Sequence, residues 1–141
     1  MVLFAALISA CTAHFALDEA QRKWNAQGIR HYRIKVQHIE SIWHLQEYEM
    51  EVEGNEITHS AKCSPAPAEG GTCDVNAYDP TEYTVEGLFE TAEILLNGNY
   101  FKWVTVGYDE AYGFPSLIAV DDPDILDEDS AWKVLEFEVI E

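Results

Sequence analysis

Apolar and polar positions switch between two periods along the chain. In "LDEAQRKWNAQG", Leu17, Ala20 and Trp24 fall at i, i+3 and i+7, one face of a helix, and Gly28 follows as its stop. "HYRIKVQH" then alternates strictly, with Tyr32, Ile34 and Val36 on one side and Arg33, Lys35 and Gln37 on the other. That is the pattern of a half-buried strand. "WHLQEYEMEVE" alternates in its turn. A three-residue loop at 40–42 puts Tyr32, Ile34, Val36, Tyr48 and Met50 on the inner face. The same register sets His31 opposite Glu51, Arg33 opposite Glu49, Lys35 opposite Glu47 and His38 opposite His44. Opposite charges facing each other across strands stabilise the pair by a few tenths of a kcal/mol. A slip of one residue would bring Ile34 opposite Glu47, so both faces favour this register. Gly54-Asn55 predicts a two-residue hairpin turn, with Val52 opposite Ile57, Glu47 opposite Lys62 and His59 opposite Met50.

The second half repeats the order of elements. "YDPTEYTVEGLFETAEILL" reads as a helix capped at Asp79-Pro80 or at Thr84, with Val85, Leu88, Phe89, Ala92 and Leu95 as its buried stripe. "YFKWVTVGYD" and "FPSLIAVD" predict two strands joined through 110–113. "WKVLEFEVIE" predicts a last one, with Val134 on one side and Leu135, Phe137 and Val139 on the other. The order α-β-β-β-α-β-β-β predicts an α+β fold: an antiparallel sheet of about six strands with two helices packed on one face. The halves share this order without residue-level identity, a pseudo-repeat of architecture.

Size and charge narrow the partners. At 141 residues the chain is one domain, and 48% hydrophobic with 12% aromatic residues it is globular. Acids outnumber bases 26 to 8, for a net charge of −18. This excludes a nucleic-acid partner, which needs a basic surface, and electrostatic docking on anionic lipid. An acidic surface keeps the protein soluble but repels itself, and salt screens that repulsion. Thermal unfolding measured across a NaCl series is therefore expected to shift upward with salt; a flat response would show that the charge carries no such penalty.

The chain begins "MVLFAALISAC". Val2–Ile8 is too short to span a bilayer but fits the apolar region of a signal peptide, with small Ser9 and Ala10 before a cut. Ile8-Ser9-Ala10-Cys11 resembles a bacterial lipobox, which implies that Cys11 becomes the lipid-modified first residue, anchored stably by two or three acyl chains. The segment departs from the pattern in having no Lys or Arg before Cys11. The other reading is an apolar N-terminal element with a buried Cys. The expected organisation is a leader over 1–10, a tether over 11–16 and a domain over 17–141. With Cys11 so assigned, Cys63 and Cys73 remain as an even pair around the loop "CSPAPAEGGTC". In an exported protein they are expected to form a disulfide, contributing roughly 2.5–3 kcal/mol. A metal pair or two free thiols are the alternatives, the first lacking a Cys-x-x-Cys spacing or clustered His.

Trp24, Gly28-Ile29, Tyr32, the turn "VEGNEI" at 52–57, "YTVEGLF" at 83–89 and "VGYDEAYGFPSLIAVD" at 106–121 together resemble an uncharacterised family of bacterial secreted lipoproteins. The resemblance covers about 24–121. It implies secretion and a shared fold, with no activity, cofactor or catalytic residue to carry over.

The loop containing Tyr108, Asp109, Tyr112, Gly113 and Pro115 is the candidate functional loop, because sites concentrate on loops. Its structural reading has Asp109 accepting backbone N–H bonds in the turn, Gly113 permitting the turn and Pro115 opening an edge-like strand position. The acidic run at 121–129 offers oxygen ligands for calcium but lacks EF-hand spacing, so the default is a solvated loop or helical turn. His38 and His44 lack a third metal ligand. Ile39 and Trp43 are expected on the outer face of the sheet, as partner surface or under the tether. The chain thus reads as a non-enzymatic domain acting through contacts with an unidentified protein partner. It is held by the lipid on Cys11 at the bacterial envelope, periplasmic or surface, with no cofactor and no metal site. The alternative is a small-ligand or cation-binding module using the 108–115 loop or the acidic run.

Overall fold

A computed structural model describes residues 3–41, 44–63, 78–98, 103–121 and 129–141. Helix α1 spans Leu3–Gln27, β1 His31–Ser41, β2 His44–Glu53 and β3 Glu56–Cys63. A 3₁₀ turn at Pro80–Tyr83 leads into α2, Val85–Asn97, followed by β4 Trp103–Tyr108, β5 Pro115–Asp121 and β6 Ser130–Val139. All strand pairs are antiparallel, in one sheet of order β3-β2-β1-β6-β5-β4. The α+β fold expected from the pattern is the one found.

Both helices lie on one face. Leu17, Ala20 and Trp24 of α1, and Val85, Leu88, Phe89 and Ala92 of α2, are buried against Tyr32, Ile34, Val36, Tyr48, Met50, Val52 and Ile118 of the sheet. Trp24 sits at the junction, its ring edge-on to Tyr32, Phe114 and Phe137 at 5.6, 6.0 and 5.9 Å. Both proposed caps of the second helical region are used. Asp79 caps the 3₁₀ turn, accepting from the backbone N–H of Thr81 at 3.0 Å and its hydroxyl at 2.6 Å, and Thr84 caps α2 by accepting from Gly87 N–H at 3.1 Å. The Thr81 hydroxyl, and then its amide, hold the Asp79 carboxyl below the usual carboxylate range. α1 stops at Gly28, which adopts φ 63. It starts earlier than the Leu17 of the sequence pattern and takes in the stretch expected as a tether, although its core-facing stripe does begin at Leu17.

Three registers differ from the expected ones. β1 and β2 pair two residues further along: Ile34 faces Met50, Val36 faces Tyr48 and His38 faces Gln46, because the loop is tighter and Glu40 is an extra residue in β1. A shift of two keeps every side chain on its face, so the alternation alone does not separate the two registers. The expected His31–Glu51 and Lys35–Glu47 pairs form all the same, at 3.1 and 3.4 Å, but diagonally, and Arg33 bonds Glu51 rather than Glu49. Between β2 and β3 the Gly54-Asn55 turn holds Val52 opposite Ile57. Thr58 is then an extra residue, which places His59 opposite Glu51 and Cys63 opposite Glu47. In β6, Leu135 is the extra residue between pairs Lys35–Glu136 and Val36–Val134. That bulge returns Val134 and Phe137 to the same, helix-covered face, against the strict alternation expected there.

The pseudo-repeat does not extend to topology. In the first half the strand after the helix, β1, is central, whereas in the second it is β4, at the edge. The two meanders therefore run outward and inward, meeting where β1 pairs with β6.

Candidate functional site

The pieces of sequence that carry the family resemblance converge on one hydrogen-bonded junction. Tyr32 Oη donates to Glu86 Oε2 at 2.8 Å and accepts from Val85 N–H at 3.1 Å, while Trp24 Nε1 donates to Glu86 Oε1 at 3.4 Å. Burial, together with the Glu86 carboxylate, drives the Tyr32 hydroxyl pKa far above its usual value. This junction ties α1, β1 and the start of α2 together, a structural role. Beside it, Val52, Ile57, Thr81, Thr84, Glu86 and Glu90 line much of a cleft of about 310 Å³. Its hydroxyls and one carboxylate are committed to capping and to the junction.

The 108–115 loop is also built for structure. Asp109 Oδ1 accepts from Ala111 N–H at 2.9 Å and Tyr112 N–H at 2.7 Å, and its backbone bonds Phe114 and Gly113 at 2.8 and 2.9 Å. Gly113 adopts φ 90 with α1 so close that a Cβ would stand 2.9 Å from the Ala20 carbonyl oxygen. Lys23 and Gln27 of α1 donate to the Glu110 and Ala111 carbonyls. Tyr112 stacks toward Phe114 and Phe137, and burial raises the Tyr108 hydroxyl pKa. Pro115 lies before the stretch of β5 that pairs with β6, so its missing N–H interrupts no ladder on that side. The candidate residues are brought together, but as a turn locked onto α1.

At the other end of β1, His38 lies flat on Trp132 at 4.3 Å, its Nδ1 3.0 Å from the Tyr83 hydroxyl. Tyr83 stacks on Tyr48 at 3.6 Å. Burial lowers the His38 pKa against the opposing pull of Glu40, and the neutral ring accepts from Tyr83, whose own pKa is raised by burial and by Tyr48. The unfolded chain therefore takes up a proton first as the pH falls below 6.5, the ordinary histidine value. Stability contributed by neutral His38 is full above that pH and is lost as the pH falls through the window beneath it. Chemical denaturation between pH 7 and 5 is expected to show this decline, and His38→Gln to flatten it. An unchanged slope in the variant would assign the decline to other groups.

The face of the sheet away from the helices is the remaining surface. Two bases of β1 lie between acids of its neighbours there: Arg33 reaches Glu51 at 3.0 Å and Glu138 at 3.4 Å, and Lys35 reaches Glu47 at 3.4 Å and Glu136 at 3.8 Å. Arg33, then His31, hold the Glu51 carboxyl below its usual range. The registers place Leu45, Ile39, Ala131, Ala119 and Thr105 in one row across five strands, a largely apolar band. Trp103 and Leu117 extend it toward β4, at 67% and 38% exposure. Ile39 thus lies on the expected face. Trp103 and Leu117 were not singled out from the sequence; the signal was the alternation of Trp103, Thr105 and Gly107 with Val104, Val106 and Tyr108. Cys73, Trp43 and the acidic run over 122–128 lie outside the described residues, and with them the expected Cys63–Cys73 pairing.

No helix among the described residues is long and apolar enough to cross a membrane. No curated protein and no solved structure matches the chain. The sequence profile of a family of unknown function, DUF6174, matches residues 16–139, from the start of the core-facing stripe of α1 to the end of β6, and the chain belongs to that family.

Proposed function

We propose that the domain is a non-enzymatic interaction module, held at the bacterial envelope by a lipid on Cys11, that meets a partner protein with the open face of its sheet. The observation that carries this reading is the uncovered apolar band ending in Trp103 and Leu117, bordered by the ion-paired ladder on β1. An apolar strip with a charged border is the composition of a protein-contact surface. The loop at 108–115 supports it indirectly, because its carboxylate and carbonyls are already bonded within the turn and to α1. The "LISAC" segment supports the anchor, and export in turn supports a Cys63–Cys73 disulfide.

A photo-crosslinking amino acid at Leu117 is expected to capture a protein in cells, and the same group at Glu93, on the exposed side of α2, to capture none. Equal capture from both positions, or none from Leu117, overturns the open face as the contact surface. For the anchor, the intact mass of the membrane-bound protein is expected to begin at an acylated Cys11, and Cys11→Ser to release the protein from membranes. An uncleaved, unlipidated Met1 overturns it.

A further inference from the structure

The sheet has two edges, and the chain treats them differently. β3 carries the devices that protect natural edges from pairing: the extra residue Thr58 bulges it, and Glu56 and Lys62 put charge along it. β4 carries neither. Its six residues, "WVTVGY", include no charge and no proline and are rich in strand formers. The irregularity near its end places the extra residue, Ser116, in β5, so β4 itself runs regularly to Tyr108. Among the described residues β4 pairs only with β5, leaving its other side as a row of backbone donors and acceptors.

An unguarded edge of this kind accepts a further strand. A second copy of the chain is a poor occupant, since edge-to-edge pairing would bring together two bodies of net charge −18. Acids also stand at both ends of the edge. Asp121 faces Trp103 across the ladder, and Asp109 and Glu110 follow Tyr108; the base nearest this second end, Lys23, already bonds the Glu110 carbonyl. We propose that β4 is the acceptor edge for an extended, basic peptide segment of a partner protein, added to the sheet as a seventh strand. This rests on the domain being an interaction module and names the chemistry of what it binds. The segment's backbone bonds the open side of β4. One set of its side chains lies beside Trp103, Thr105 and Gly107, where the missing Cβ of Gly107 leaves room for a large apolar group, and its Lys or Arg residues meet the acids at the ends.

The test uses the full chain and synthetic peptides with an alternating Val/Thr centre, ended by lysines or by glutamates. The lysine-ended peptide is expected to protect the amides of 103–108 from hydrogen exchange and to bind about tenfold tighter than the glutamate-ended one, as a few exposed ion pairs provide. N-methylation of alternate peptide amides is expected to abolish binding in one of the two phases and spare it in the other, because only alternate amides of an added strand face β4. Absence of protection at 103–108, equal binding of the two peptides, or indifference to N-methylation in both phases overturns the proposal. Failure of the peptides while Leu117 still crosslinks a protein overturns the acceptor edge and leaves the interaction reading standing; failure of both removes both.

Discussion

Gly87→Ala is expected to destabilise the protein by about 3 kcal/mol or more, read as a fall in the urea midpoint. Helix propensity alone gives the opposite sign, since alanine exceeds glycine by roughly 1 kcal/mol in a helix interior. The first turn of α2 reverses it. A Cβ on Gly87 would stand 2.0 Å from the Thr81 carbonyl oxygen and 2.7 Å from the Glu82 carbonyl carbon. Both obstacles are backbone, so relief requires moving the 3₁₀ turn, and with it the Asp79 and Thr84 caps and the Tyr83 ring stacked on Tyr48. Gly107→Ala is the control: its Cβ would meet Leu117 at an ordinary 3.5 Å, and a small change of either sign is expected there. A Gly87 variant as stable as the control would show that the turn yields freely.

Trp24→Ala is expected to remove about 3–5 kcal/mol, the range for deleting a large buried aromatic. Trp24 is buried at the one place where α1, β1, β6 and the Phe114 turn meet, edge-on to three rings. Its loss opens a cavity and leaves Glu86 with only the Tyr32 hydroxyl as a side-chain donor. Trp24→Phe separates the two effects: it keeps an aromatic ring and drops the indole donor, with an expected loss of about 1–2 kcal/mol. Thermal or urea unfolding of both variants checks the order, and equal losses would mean that the hydrogen bond, rather than the ring, carries the contribution.

The element order and the inner faces of β1 and β2 were legible in the sequence because burial on one side imposes a period that Tyr32, Ile34 and Val36 obey. What was not legible is what a period of two or 3.6 does not encode. The β1–β2 register is off by two because such a shift leaves both faces unchanged, and the extra residue Glu40 has no sequence mark of its own. Leu135 looked like a core position in phase with Phe137; only pairing with β1 shows it to be the bulge. Glu86 looked like one acid among 26, and its partnership with Trp24 and Tyr32 depends on contacts 62 and 54 residues apart. The Asp109 turn was legible, since an aspartate followed by a glycine four residues later is local chemistry. The exposed band was legible only in part, because a face is assigned to Trp103 and Leu117 by neighbours distant in sequence.

The pairing of β1 with β6 has a kinetic consequence. These two strands hold the centre of the sheet, yet β1 is the first of the six to be synthesised and β6 the last, with Tyr32 bonded across from Val139. The first meander must wait, its central edge open, until nearly the whole domain has emerged. Closing so long a loop is entropically demanding and slows folding relative to a protein of local contacts. A nascent or C-terminally clipped chain lacking β6 would hold two separate three- and two-stranded pieces, each exposing the half of the core it was meant to share.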